Sequence, residues 1–584
     1  MSVKLAETAG FCMGVRRAMD KVLDIAQHPG KGPIYTYGAL IHNPQTVELL
    51  KKRGIFPLDR LEDLDRCGAD AALVIRAHGI TPEERRKIKE KRIRIVDATC
   101  PKVAHVQAII KKHAARGYTT LIIGDKGHPE VNGLMGYTCS RGIVISTPEE
   151  VDSLPDLDKV CVVAQTTQNT ELFNDTVKKI RTKFPHAVVF YTICDSTEKR
   201  QTEIKDLASH MDAVVIVGGK NSANTRRLAS LAESRGIPAF HIETAEELNQ
   251  LPLEGFEKIG VSAGASTPNW IIDRVVDSIT SYQAGGGNNT RRFFKAWLFT
   301  VRTDIYSALG AGGLALACIL LQDLEVHILN ILIASLYVYA MHIINRLLNR
   351  KASIIGSFRE ESYRKHERLY GGAAALSLAL ALVFSFAAGA APFILLSLIS
   401  LLGVLYNAKI LPKSWRFGSL IDLPASKNIS VALAWAAVTA LLPRMEIALS
   451  MPPATVVAFL FTFAVVFIRS SLSDILDIQN DRLIGRETIP VLFGKERTLR
   501  LLKVLWILVF ILLVASFSAG WTSSLSLALA ISLFYVLICF KLCDRRAGFS
   551  GIELEGLVET TYIVAGLSAL LWWFFVGGPV FMQQ

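Results

Sequence analysis

The sequence predicts a three-lobed α/β domain followed by an all-α domain of nine transmembrane helices. Three observations carry that prediction. The composition of the 584 residues changes part-way: residues 1–280 alternate charged segments with short apolar runs, and from about Trp297 long apolar blocks alternate with short basic loops. In the first half, β-rich runs are followed by polar, helix-compatible segments, the alternation expected of parallel sheets. Finally, Cys12, Cys100 and Cys194 occupy matching strand-to-helix turns about ninety residues apart, which implies three similar lobes. The expected boundaries are a first domain at 1–280, a flexible Gly/Asn linker "SYQAGGGNNTRR" at 281–292, and a membrane domain at 293–584.

The strand-like "SVKLAET" leads into the Cys12 turn, and the later runs are "AALVIRAHG", "IRIVDATC", "TTLIIGD", "GIVIST", "KVCVVAQTT", "VVFYTIC", "DAVVIVGG" and "KIGVSAGAS". Segments such as "PKVAHVQAIIKKHAARG" supply the crossover helices. In the second half, apolar blocks centre near Leu314, Ala334, Leu378, Ser397, Ala436, Phe461, Leu508, Leu529 and Ala565, each close to the length of a spanning helix. One crossing per block places the basic loops 345–369, 406–428, 469–500 and 541–555 on the side of the first domain, with little beyond Arg444 opposite. The positive-inside rule then puts the N-terminal domain in the cytoplasm, with the protein multi-pass in the inner (cytoplasmic) membrane. The first residues lack the basic and apolar regions of a secretory signal, so the nine cysteines are expected to be reduced. The net charge of +12 is largely accounted for by the membrane loops, and no zinc-finger spacing or RNA-binding aromatic signature argues for nucleic acid.

A single cysteine in a turn is ordinarily a small buried hydrophobe, the role assigned to Cys67, Cys139, Cys161, Cys318, Cys539 and Cys543. Three in matched turns favour a metal, because the start of a helix stabilises thiolates. The paired short spacings of structural zinc are missing. Three thiolates suit an iron–sulfur cluster with one iron left open, as a Lewis-acid catalyst requires. Other strand ends carry His42, His78, His128, Ser222, Asn224 and Ser266, whose donors fit an anion pocket of diphosphate type, and Glu130 is the natural proton donor beside it. "VGGKNS" departs from a nucleotide-binding P-loop, with Val214 in place of the first glycine and Asn221 in place of Ser/Thr.

The ordered motifs "GFCMGVRRA", "IHNPQ", "RAHG", "DATCPKV", "GHPEVNG", "AQTTQ", "TICDSTEKRQ", "KNSANTRRL" and "AGASTP" resemble the 4-hydroxy-3-methylbut-2-enyl diphosphate reductases, the LytB/IspH family. The resemblance implies a trefoil-like arrangement of the lobes around a [4Fe–4S] cluster held by Cys12, Cys100 and Cys194. It implies that His42, His78, His128, Ser222, Asn224 and Ser266 hold the diphosphate. Ala223 lies within that set, where some relatives carry serine. Glu130, with Thr166 beside it, would deliver protons. The implied reaction yields isopentenyl and dimethylallyl diphosphate, the last step of the methylerythritol phosphate pathway, with electrons from a ferredoxin- or flavodoxin-type donor.

In the second half, "RSSLSDILDIQNDRLIGRETIPVLFGKERT" sets Asp474, Asp477 and Asp481 at helical spacing against an apolar block. The bland reading is a solvated loop; carboxylates abutting a spanning helix favour Mg²⁺ on a diphosphate. This stretch resembles the second aspartate motif of the UbiA prenyltransferases, as do nine helices, Tyr406, Lys409 and Lys427. The first motif differs: Asn345 is kept, but Arg346, Asn349 and Ser353 stand where acidic residues are expected, and Arg346 is expected to touch phosphate directly. The second half therefore transfers or binds prenyl groups, with lipid around it. Two rival readings are a membrane prenyltransferase regulated by its iron–sulfur domain, and an aconitase-like hydratase needing no electron supply.

Overall fold

The computed structural model describes residues 2–27, 32–41, 43–66, 70–91, 93–282, 289–348, 363–406, 420, 423, 425–484, 486–545 and 549–577. The chain divides into two compact units, residues 1–283 and 284–584. Of the expected linker, residues 281–282 end one helix, 289–292 begin another, and 283–288 lie outside the described residues.

The described residues of the first unit hold twelve strands: β1 (Ser2–Leu5), β2 (Ile34–Tyr37), β3 (Ile55–Leu58), β4 (Ala72–Ile75), β5 (Arg94–Asp97), β6 (Thr119–Ile123), β7 (Gly142–Ile145), β8 (Val160–Ala164), β9 (Val188–Val189), β10 (Ala213–Val217), β11 (Ala239–Ile242) and β12 (Lys258–Ala263). They form three four-stranded sheets, ordered β1-β12-β10-β11, β5-β4-β2-β3 and β9-β8-β6-β7, all pairings parallel. Every residue of β4, β8 and β10 is buried, which is why "ALVI", "VCVVA" and "AVVIV" are continuous apolar runs.

The three sheets share one plan. Each is built from four strands in the spatial order fourth-third-first-second, and the fourth strand ends in a cysteine turn. In the third sheet that strand is β1, at the other end of the sequence from β10–β12, so the N-terminal strand closes the last lobe. Hydrogen bonds repeat with the topology. The backbone N–H groups of Cys12, Cys100 and Cys194 donate to the carbonyls of Ala265, Ala77 and Thr166, each just past the neighbouring third strand. The three-lobed expectation holds.

The second unit is helical throughout its described part. Seven helices are long and apolar enough to cross a membrane: Ile328–Leu348, Glu367–Ala388, Ser426–Ile447, Pro453–Leu476, Lys495–Ser518, Leu525–Cys543 and Gly551–Val576. The bent pair Arg292–Arg302 and Ile305–Leu321 reaches that length and apolarity only when its two helices are counted together, which would bring the number to eight. This corrects the expectation of nine. All nine apolar blocks are helical, but the one around Ser397 forms only Ala390–Leu405, whose 16 residues rise about 24 Å. Helices Ile305–Leu321 and Gly551–Trp572 meet closely, since a Cβ on Gly313 would lie 3.2 Å from Gly566 Cα. Small residues allow this approach where the bilayer offers no hydrophobic drive to pack helices.

Candidate active site at the strand ends

Each cysteine begins a helix. Cys100 and Cys194 are the N-caps of Pro101–Ala114 and Asp195–His210, without any side-chain capping bond. Cys12 immediately precedes Met13–Gln27; its carbonyl accepts from Arg16 N–H, and Val15 N–H donates to its Sγ at 3.4 Å. Burial pushes the Cys100 thiol up, opposed by the N–H groups of Lys102 and Val103, while Cys12 and Cys194 lie near enough to act on it as like charges. A Cβ on Gly14 would lie 2.7 Å from Cys100 Sγ and 3.9 Å from Cys12 Sγ, so these two thiols face one space that glycine leaves open. Among the described residues no three His, Cys, Asp or Glu side chains are gathered for a single metal ion. A polynuclear cluster needs a different arrangement, with one thiolate per iron atom, and three thiols from three lobes around a shared space fit it.

The helix that starts at Cys194 also holds the Cys12 turn. Arg200, 3% exposed, donates to the carbonyls of Ala263 (3.0 Å) and Gly10 (2.6 Å), and Glu203 accepts from Thr8 N–H (3.0 Å). Burial lowers the Arg200 pKa while Cys12 and Cys194 raise it. Neither residue stood out in the sequence, because Arg and Glu within a polar helix read as a solvated face.

Glu130 is 2% exposed. Thr166 donates to it twice, through N–H to Oε1 at 2.6 Å and through Oγ1 to Oε2 at 2.8 Å. Burial pushes its carboxyl above the usual range despite these bonds and despite nearby Arg227. The Glu130 N–H donates to His128 Nδ1 at 3.1 Å, and the His128 and His78 rings meet edge-on at 5.5 Å. Thus β4, β6 and β8 bring His78, His128, Glu130 and Thr166 together as the sequence reading anticipated. Ser222 and Asn224 flank Ala223 at the start of Ala223–Glu233, and they and Ser266 are all 9% exposed or less. The buried Asn224 Nδ2 has no hydrogen-bond partner, and such an orphaned donor fits an anionic ligand. The turns carrying them adjoin, as a Cβ on Gly218 would lie 2.7 Å from Thr267 Oγ1 and 2.9 Å from Thr225 Oγ1. Arg227 joins the lobes through Asp125 (2.6 Å) and the Thr167 carbonyl (2.9 Å). It sits within "KNSANTRRL", where attention went to the small polar residues. His42 lies outside the described residues.

In the membrane unit, Asp474 is 1% exposed and pairs with Lys427 Nζ at 2.6 Å. Asp481 is buried, 3.8 Å from Arg486, and Asp477 points outward. Asp474 Oδ2 has no partner. Tyr406 bonds Ser426 at 2.8 Å; Lys409, Asn349 and Ser353 lie outside the described residues. Arg346 forms an ion pair that the sequence did not reveal. It grips the fully buried Asp304 with two bonds (2.8 and 3.1 Å), and Tyr363 donates to the same carboxylate at 2.7 Å. Burying Asp304 demands a cation, and Arg346 supplies it. Glu555, Arg469, Glu559 and Ser307 extend this ionic network.

Comparison with known proteins agrees with the two-part reading. Residues 3–280 match the LytB protein family, and residues 307–551 match the UbiA prenyltransferase family. The 4-hydroxy-3-methylbut-2-enyl diphosphate reductase of Opitutus terrae is 44% identical over 283 residues, covering 47% of this chain and 98% of that protein. The chain belongs to the LytB family. The same-named reductase of Geotalea uraniireducens is 42% identical over 279 residues, covering 48% of this chain and 97% of that protein. Among solved structures, the Plasmodium falciparum reductase aligns with 30% identity and a TM-score of 0.45, covering 47% of this chain and 86% of that one. An Archaeoglobus fulgidus UbiA homolog bound to DMAPP and Mg²⁺ aligns with 18% identity and a TM-score of 0.34, covering 47% and 99%. This LytB protein is thus a fusion with a UbiA domain, and it is a multi-pass membrane protein.

Proposed function

We propose that the LytB domain reduces (E)-4-hydroxy-3-methylbut-2-enyl diphosphate to isopentenyl and dimethylallyl diphosphate, consuming two electrons and two protons and releasing water. The observation that carries this reading is the buried Glu130 carboxyl, bonded by Thr166 and set beside the His78 and His128 pair. Cys12, Cys100 and Cys194 would hold an iron–sulfur cluster, which supplies electrons singly and a Lewis-acidic iron when bound. His42, His78, His128, Ser222, Asn224 and Ser266, with Ala223 between, would orient the diphosphate. Glu130 keeps a proton to higher pH because it is buried, which suits a group that must deliver one to a leaving hydroxyl. Its bonds from Thr166 fix the carboxyl for that transfer. The electron donor would be of ferredoxin or flavodoxin type.

The membrane domain we read as a binder or transferase of prenyl diphosphates, with Mg²⁺ held near Asp474, Asp477 and Asp481. The partnerless Asp474 Oδ2 supports this. The Archaeoglobus homolog carries DMAPP and Mg²⁺. Basic loops on one side support an N-terminal domain in the cytoplasm. The test is turnover of the diphosphate by the anaerobically reconstituted full chain with a strong one-electron reductant. Five-carbon products lost in Cys100→Ser support the reading. No turnover from protein carrying its full complement of iron sinks it.

A further inference from the structure

The helix Asn289–Arg302 precedes the first apolar block of the membrane unit. It stands at 83° to Ile305–Leu321, the helix that follows it. The break lies at Asp304, a non-glycine residue with left-handed backbone (φ 59°), whose carboxylate is gripped by Arg346 and Tyr363. A bend fixed by a buried ion pair is a built elbow. If Ile305–Leu321 crosses the bilayer, the preceding helix runs along its surface.

This helix packs one side against the chain and leaves several large side chains exposed. Leu298 and Val301 are buried against Ile552, and Trp297 lies over Gly556, where a Cβ would come within 2.6 Å of the indole. Phe293 is 79% and Phe299 61% exposed, and Arg292 and Phe294 are exposed as well. The sequence "NTRRFFKAWLFTVR" has four basic residues, Arg291, Arg292, Lys295 and Arg302, and no acidic one. Bare phenylalanines in water carry a hydrophobic cost, whereas at a headgroup boundary they are buried and the neighbouring cations meet lipid phosphate.

We propose that Asn289–Arg302 is an interfacial anchor whose outer face inserts Phe293 and Phe299 into the bilayer surface and whose basic residues select anionic lipid. The test uses the full chain in nanodiscs of phosphatidylcholine with or without phosphatidylglycerol, carrying the photo-crosslinker p-benzoylphenylalanine in place of Phe293, Phe299 or Leu298. Expected are lipid adducts from positions 293 and 299, and cross-links to the chain's own last helix from 298. Phosphatidylglycerol should be over-represented among the lipid adducts, and Arg292→Gln with Lys295→Gln should reduce that preference about fivefold per charge, equivalent to about 1 kcal/mol each. Cross-links from 293 and 299 to protein, from this chain or a second copy, overturn the membrane assignment, as does the absence of adducts when 298 reacts. Lipid adducts without preference for phosphatidylglycerol overturn the anionic selectivity.

Discussion

Replacing Gly14 by alanine should separate folding from cluster loading. Gly14 is the second residue of the helix Met13–Gln27, where alanine is intrinsically favoured over glycine by about 1 kcal/mol. The added Cβ would nevertheless lie 2.7 Å from Cys100 Sγ and 3.2 Å from Cys100 Cβ. Ordinary non-bonded contact lies at about 3.5–4.0 Å, so the Cys100 side chain must retreat by about 1 Å. Cys100 cannot follow freely, because its N–H is bonded to Ala77 and its carbonyl to Ala104. A misplacement of about 1 Å in a reacting assembly costs about 100-fold in rate. The assay compares iron and acid-labile sulfide per chain, visible absorbance and turnover in anaerobically prepared protein, with thermal unfolding of the iron-free form. Iron content and turnover should fall, turnover by about 100-fold, while the iron-free variant melts no lower than wild type. Full iron with wild-type turnover would refute the claim that glycine keeps this space clear. Early melting without iron would show that Gly14 serves packing instead.

Glu130→Gln should lower turnover by about 10²- to 10⁴-fold with iron content unchanged, measured by product formation. Because burial raises the Glu130 pKa, its contribution to stability is fully present below the ordinary value of 4.5 and is lost as pH rises through the folded value. Denaturation of iron-free protein across pH should therefore show wild type declining relative to Glu130→Gln above 4.5; parallel curves would count against the buried acid. Thr166→Val keeps the N–H bond and loses the hydroxyl bond to Glu130, an expected cost of about 1.5 kcal/mol, or about tenfold in turnover. In the membrane unit, Arg346→Met strands the Asp304 carboxylate and should lower stability in detergent by about 3–5 kcal/mol, with most of it recovered by adding Asp304→Asn. A loss in the double variant equal to the sum of the two single losses would argue that the two side chains act independently.

Much of this architecture was legible because the central strands, buried on both faces, can only be written in apolar residues. The strands that did not show in the sequence are β2, β3 and β11, whose "IYTY", "IFPL" and "AFHI" are short and only partly buried. Two of them are sheet edges, where Pro57 is tolerated for want of a ladder partner on one side. The cysteines, His128 and Glu130 declared themselves through flanking Gly, Pro and strand signals. Arg200 and Arg227 stayed hidden, since nothing in a helical pattern distinguishes a cation aimed inward at carbonyls from one in water. The Arg346–Asp304 pair stayed hidden for a related reason. Its partner Asp304 lies 42 residues earlier, at an elbow that hydropathy reads as one continuous apolar stretch.

The pairing of β1 with β12 sets a schedule for biogenesis. Residues 2–5 leave the ribosome ahead of the rest of their sheet, and their neighbours at 258–261 are made about 250 residues later, a wait of tens of seconds at ordinary synthesis rates. Until then Cys12 has no Ala265 carbonyl to bond and no fixed place beside Cys100. Loading of a cluster on these thiols would therefore wait for completion of the third lobe, at about the moment that the first apolar helix of the membrane unit begins to be made. Iron delivery and membrane targeting would then compete for the same nascent chain.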